Sequence, residues 1–421
     1  ENGIVWDKPR SRIGMSTHNK SKHKRLSSLL LLALSTVTML AILPAFASAD
    51  AELKGTQPAQ WRLMWTSNPQ HEATVSWTTV SPGDKHRVYF ATADKSQQGA
   101  VATHRDGKYT GGTTYYHHVR LTGLTPATRY GLVIESDGQR SPAMYFKTAP
   151  AKDQPLKIIF GGDSRSGREA RRSINSMIAS LVGKDPQIVA FAHGGDYVAT
   201  GLSFDQWSAW MSDHELTVAD DGRLTPIIPA RGNHDIGELF NDIFDFPSRD
   251  ANYYAVDIGP SIRFLTLNSN ISAGGEQAKW LEQQLSTARP KYRWLLAQYH
   301  RPVFPAVKTP GPGLQYWVPL FEKYNLDMAC EADGHTIKRT PAIRNNRPDP
   351  TGVVYIGEGG LGVGQRTPKF DDPARWYLKQ PGKVGSGHHI QLLSFEGETL
   401  EYSAILLGGK VFDQATISAR H

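Results

Sequence analysis

Five apolar runs in this chain each end on a residue able to hold a metal ion. Residues 156–160 lead into Gly161-Gly162-Asp163, and residues 186–193 into Gly194-Gly195-Asp196. The run 224–228 precedes Pro229-Ala230-Arg231-Gly232-Asn233-His234-Asp235. Residues 292–299 run up to His300, and residues 327–331 lead to Gly334-His335. Short apolar runs bounded by glycine read as buried strands, and helical patterns at 168–182, 275–285 and 314–324 alternate with them. A further strand at 353–356 ends in a glycine-rich turn. Strands alternating with helices make a layered α/β domain, in which the loops at the strand ends converge on one site.

Taken singly, an aspartate after two glycines is a common turn or cap residue, and a histidine after a strand is commonly just hydrogen-bonded. All five as unrelated punctuation is a strained coincidence. Asn233, His234 and Asp235 pack an oxygen ligand, a proton donor and a group to hold that donor into consecutive positions. A mixed oxygen and nitrogen donor set suits zinc, manganese or iron better than calcium.

The first third of the chain has a different pattern. Residues 61–65, 73–79, 87–91, 115–121, 130–135 and 144–148 are short stretches rich in β-branched and aromatic residues, separated by Gly, Pro, Asn and Asp. Ala73, Val75 and Trp77 alternate onto one face. The segment from Leu121 to Tyr130 resembles the connection before a late strand of fibronectin type III domains, so residues 55–150 are expected to form a small all-β sandwich with a supporting role. Residues 149–155 read as a linker, and 155–421 as the catalytic domain.

Charge argues against a nucleic-acid partner. The formal net charge is +7, but residues 1–49 hold seven of the basic and two of the acidic side chains, leaving 40 basic against 38 acidic in the rest. Within that segment Lys20, Lys22, Lys24 and Arg25 precede an apolar run at 29–43 and two A-x-A sites ending at Ala47 and Ala49. Residues 15–49 therefore read as a secretory signal peptide starting at Met15, with no permanent membrane anchor, and place the mature chain in a periplasm or outside the cell. Residues 1–14 have no assignable role. Cys330 is the only cysteine, so no disulfide forms within the chain, and core packing, helped by metal, must hold it together.

In order, Gly-Gly-Asp163, Gly-Gly-Asp196, Gly-Asn233-His234-Asp235, Tyr299-His300 and Gly334-His335 resemble the motif blocks of the calcineurin-like metallophosphoesterases. The preceding β-sandwich is similar to that of purple acid phosphatases, as is the stretch from Val353 to Gly360. The resemblance implies a four-layer α/β/β/α domain holding two metal ions at its strand edges. It implies that Asp196 bridges the ions, that Asp163 belongs to the first, and that Asn233, His300 and His335 complete the second. It makes His234 the acid at the leaving oxygen, tuned by Asp235.

The departures are specific. The family pattern places a tyrosine three residues after the bridging aspartate, where this chain has Ala199, and a second histidine two residues after His335, where it has Ile337. The related Asp-x-His form of the first block is also missing, because Arg165 stands at that position. One metal site is therefore complete and a second incomplete. Two readings remain open. Either His193, Glu331, Asp333, His388 or His389 supplies the missing ligands, or fixed cations replace the charge of the first ion. In the second reading Arg165 grips the ester and is counted with the catalytic residues, with His193, Lys308, Lys338 and Arg339 as further substrate-binding candidates. The expected activity is hydrolysis of an anionic, possibly saccharide-linked phosphate ester by an exported enzyme. Sulfate ester hydrolysis on a sulfated polysaccharide is the alternative, and noncatalytic metal or anion binding a third. Trp207, Trp210, Tyr253, Tyr254, Trp317 and Trp376 are divided between core and pocket roles, more of them core. The sequence assigns no oligomeric state.

Overall fold

The computed structural model describes residues 52–420. The segments expected to be a signal peptide (15–49) and its upstream residues (1–14) lie outside the described residues. No helix among the described residues is long and apolar enough to cross a membrane.

Two large mixed sheets carry the catalytic part. In the first, the parallel strands Leu156–Gly161, Ile188–His193 and Ile227–Pro229 lie side by side, with the antiparallel strands His389–Glu396, Thr399–Leu406 and Val411–Ser418 added at one edge. In the second, Ile262–Thr266, Trp294–Tyr299, Met328–Glu331 and Val354–Gly357 run parallel. Successive side chains of a strand point to opposite faces, and here the two faces meet different partners. Leu295, Ala297 and Tyr299 join Leu281, Leu285, Trp317 and Phe321 in one apolar cluster beneath the helix Gly275–Ala288. On the other face Trp294 packs edge-on against Phe395, and Gln298 donates to the Ile228 carbonyl at 3.0 Å across the sheet-to-sheet interface. This is the expected layered α/β architecture with an all-β N-terminal part.

That N-terminal part is less separate than the sequence suggests. The strand Ala59–Met64 pairs in parallel with Ile227–Pro229, Met64 opposite Ile227, so the first sheet continues through Ala73–Thr79, Tyr115–Leu121 and Arg105–Lys108 without a break. The other half of the sandwich is a separate sheet built on His86–Thr92 and Arg129–Ser136. A backbone ladder therefore ties the β module directly to the strand that carries Asn233, His234 and Asp235. Two other expectations change. The helix expected at 314–324 is two short pieces, Gly313–Tyr316 and Val318–Lys323, because Pro319 has no N–H to continue a single ladder. A helix at Phe204–His214, capped by Ser203, was not anticipated.

Beneath the strand ends lies a fully buried ion triad. Lys338 donates to Glu331, to Glu358 at 2.7 Å and to the Phe304 carbonyl at 2.7 Å. Burial favours the neutral amine, but the two carboxylates outweigh it and hold the ammonium above its ordinary range. Glu331 also accepts from Tyr299 Oη at 2.8 Å and from the Val303 amide at 2.7 Å, and Glu358 accepts from the Ala306 amide at 3.0 Å. The triad thus pins the loop that follows His300. Removing one partner of a buried ion pair leaves an uncompensated charge, so Lys338→Ala should cost about 3–5 kcal/mol. Urea unfolding measures this, and an unchanged midpoint would mean that the triad does not hold the fold.

Candidate metal centre

Three of the five strand ends present their polar residues through tight, left-handed turns. Asp163, Asp196, Asp333 and His335 have φ of 56°, 59°, 67° and 59°, a region that L-residues seldom occupy. Several such residues gathered at one place are a mark of a functional site. Two glycines let the backbone approach the carboxylates closely. A Cβ at Gly359 would lie 2.1 Å from Asp163 Oδ2, and one at Gly232 would lie 2.2 Å from Asp196 Oδ1.

The loops bring Asp163, Asp196, His300 and Asp333, all buried, close enough that one donor atom from each lies within 4.8 Å of the others. His300 Nδ1 donates to the Gly194 carbonyl at 2.9 Å, which turns Nε2 toward Asp196 Oδ1 at 3.2 Å and Asp333 Oδ1 at 3.5 Å. Asn233 Oδ1 is 3.2 Å from the same Nε2. Burial disfavours the charged imidazole, but Asp196 and Asp333 outweigh it and raise His300 well above its ordinary value. The same interactions run in reverse on Asp196 and Asp333. Burial opposes their ionisation, yet His300, joined by His234 at Asp196 and by Lys308 at Asp333, holds both carboxyls below the usual range. Asp163 Oδ2 accepts from the Asp333 amide at 2.7 Å, while its buried Oδ1 makes no hydrogen bond. A buried carboxylate oxygen with no partner is costly unless a cation completes it. Three carboxylates, one of them with that unpartnered oxygen, and an imidazole with its second nitrogen tied to a carbonyl fit a divalent ion that takes mixed O and N donors.

The other expected residues divide into those at the centre and those elsewhere. His234 lies at the rim, its side chain about a third exposed, with Nδ1 2.7 Å from the Ala199 carbonyl and Nε2 4.0 Å from Asp196 Oδ2. Asp235 does not tune it as expected. Its carboxylate accepts from the amides of Asp196 and Gly232, both at 2.8 Å, and of Tyr197 at 3.0 Å, so it binds two loops together. Burial, reinforced by Asp196, pushes its carboxyl up to about 7. His335 was expected beside Asn233 and His300. It is instead outside the four-donor set, with Nε2 3.3 Å from Asp163 Oδ1 and 3.5 Å from Arg165 Nη2. Arg165 Nε is 3.2 Å from Asp196 Oδ2, and Lys308 Nζ pairs with Asp333 Oδ1.

Several substrate-binding and ligand candidates are engaged away from the centre. Lys338 and Glu331 belong to the buried triad. Arg339 pairs with Asp413 at 2.7 Å. His193 is buried, stacks on Tyr197 with ring centres 3.9 Å apart, and contacts Ser164 Oγ at 3.0 Å. Burial, with His214 and His300 nearby, keeps it neutral, well below its ordinary pKa. His388 and His389 lie against the carbonyls of Gly360 and Gly387, at 3.1 and 2.9 Å. Trp207, Trp210, Trp317 and Tyr254 are core residues. The role of Glu358 as a loop anchor was missed. Its position after Gly357 in the late glycine turn was the available signal, but a carboxylate next to glycines looks exposed in sequence.

Comparison with known proteins bears on the domains and the fold. The family profile of the purple acid phosphatase N-terminal domain matches residues 58–148, and that of the calcineurin-like phosphoesterases matches residues 147–338. Residues 147–338 thus form a calcineurin-like metallophosphoesterase domain. An uncharacterized protein of Mycobacterium tuberculosis is 26% identical over 73% of this chain and 64% of its own length. The Fe(3+)-Zn(2+) purple acid phosphatase 12 of Arabidopsis thaliana is 25% identical over 82% of this chain and 80% of its own. A purple acid phosphatase from yellow lupin seeds superimposes with a TM-score of 0.75 at 18% identity, covering 86% of this chain and 74% of that one. The structure of PhoD superimposes with a TM-score of 0.64 at 12% identity, over 87% and 90%. At such identities the solved structures establish the fold. The chain spans 64% of the mycobacterial relative's length and 56% of that of purple acid phosphatase 15 of Arabidopsis thaliana, another relative.

Asp333→Ala removes one of the four donors while leaving the others on their strands. Zinc affinity measured by titration calorimetry should fall at least about tenfold. Unchanged affinity would take Asp333 out of the centre.

Proposed function

We propose that this chain is a metal-dependent hydrolase of phosphate esters that works outside the cytoplasm. The observation that carries the reading is the buried four-donor cluster with His234 at its rim. The chain's place outside the cytoplasm rests on the signal peptide read at residues 15–49. A bound ion supplies Lewis acidity toward the ester and makes water nucleophilic near neutral pH. The chain's own residues do the rest. Asp196 and Asn233 lie against His300 and shape the inner wall. The Nδ1–H of His234 donates to the Ala199 carbonyl at 2.7 Å, so the imidazole faces the cluster through Nε2. Protonated there, it gives its proton to the leaving oxygen as the phosphorus–oxygen ester bond breaks and the bond to water's oxygen forms. Exposed Ile236 and Leu202 lie close by, since the Gly201 amide donates to the His234 carbonyl at 2.8 Å. An apolar rim of this kind suits an aryl or other partly apolar leaving group.

Two assays test the reading. An aryl phosphate and an aryl sulfate are offered side by side to the metal-loaded chain. The account expects the phosphate to be cleaved and the activity to disappear with a chelator. Cleavage of the sulfate alone would move the assignment to sulfate esters, and cleavage of neither with metal bound would leave a binding protein. His234→Ala should lower kcat about 10²–10⁴-fold with metal content unchanged. Full turnover in that variant would remove His234 as the acid.

A further inference from the structure

We infer that this centre holds one metal ion, and that the Arg165 guanidinium supplies the positive charge of the first ion that the family resemblance implies. The inference rests on the proposed hydrolase reading and narrows it to a one-ion, one-guanidinium site for an anionic ester.

The first of the two implied ions lacks ligands in this chain. Its expected tyrosine and histidine positions are Ala199 and Ile337. Ala199 contributes only its carbonyl, to His234, and Ile337 is buried in the strand Ile337–Arg339. Except for Asp333, none of the substitutes named from the sequence belongs to the four-donor set. Glu331 is tied to Lys338, His193 to Ser164 and Tyr197, and His388 and His389 lie against carbonyls. Tyr197, which directly follows Asp196, is turned into an aromatic cluster with Trp207, Trp210 and Phe244. Asp333 is the one recruit, and it sits with His300 in the four-donor set.

What fills the space is Arg165. Its Nε faces the Asp196 oxygen that His300 leaves free, at 3.2 Å, and its Nη2 faces His335 Nε2 at 3.5 Å. His335 Nδ1 lies 3.2 Å from the Gly364 carbonyl. With the proton on Nδ1, the Nε2 lone pair faces the guanidinium and, at 3.3 Å, Asp163 Oδ1. His335 is thus a positioning residue that aims Arg165. A guanidinium, always charged and planar, matches the oxygens of a phosphate ester and needs no ligands of its own. Charge agrees with the count of ions. Three carboxylates face two fixed cations, Arg165 and Lys308, so a single divalent ion already makes the centre net positive, as an anionic ester requires.

The test is metal content by elemental analysis of the full chain, reconstituted with excess zinc and freed of unbound ion by gel filtration. The wild type should hold one ion per chain, and two would overturn the inference. Arg165→His, which restores the Asp-x-His spacing, should raise the content toward two, whereas Arg165→Lys should leave it at one. His335→Ala should also keep its ion, and loss of that ion would make His335 a ligand and sink the assignment. Inorganic phosphate, titrated as a product-like probe, should bind at least about tenfold more weakly to Arg165→Ala with the ion count unchanged. Equal phosphate affinity would contradict the role given to Arg165. The two proposals fail separately. A one-ion chain that cleaves no phosphate ester removes the function and keeps this inference, and a two-ion chain that cleaves one does the reverse.

Discussion

Three carboxylates crowded into a dry space repel one another and lose their hydration, and the rest of the structure is arranged around that cost. Asp163, Asp196 and Asp333 are almost wholly buried, where an unpaired anion would be neutralised or expelled. Their compensation comes from several directions. Backbone amides of Asp333 and His234 donate to Asp163 and Asp196 at 2.7 and 2.9 Å. His300 lies between Asp196 and Asp333, and Arg165 and Lys308 approach from the open side. One oxygen, Asp163 Oδ1, remains without a hydrogen bond, and a bound cation is the natural completion.

Holding such a cluster requires stiff supports, and the fold supplies them in two layers. Parallel strands deliver the residues at their C-terminal ends, where loops from neighbouring strands converge. Below them, two buried charged networks fix the loops. The Lys338 triad anchors the segment from Val303 to Ala306, and Asp235 clasps the amides of Asp196, Tyr197 and Gly232. Both networks use ionisable side chains as structural parts, which explains why charged residues so near the centre do not face a substrate. The β module adds a third support by extending the sheet past the strand that carries His234.

Much of this was legible because it is local. Strand, Gly-Gly, aspartate is a short pattern, and its recurrence located Asp163 and Asp196, as the strand ends located His300. What failed depended on partners distant in sequence. Nothing near Lys338 announces that Glu331 and Glu358 will enclose it, and nothing near Asp235 says that its carboxylate will take backbone amides from another loop. His335 and His300 look equivalent on paper, both following strands, yet His300 faces Asp196 while His335 faces Asp163 and Arg165. The strands beyond residue 360 are a different case. Leu400, Tyr402 and Ala404 alternate with Glu401 and Ser403, and Gly397 and Gly408-Gly409 mark the turns, so that signal was present but not used.

The central claim is that Asp163, Asp196, His300 and Asp333 share one metal ion. Anomalous scattering at the metal's absorption edge, from crystals of the metal-loaded protein, tests it most directly. The account predicts a peak within bonding distance of all four side chains. An empty cluster in crystals that carry the metal elsewhere would contradict it.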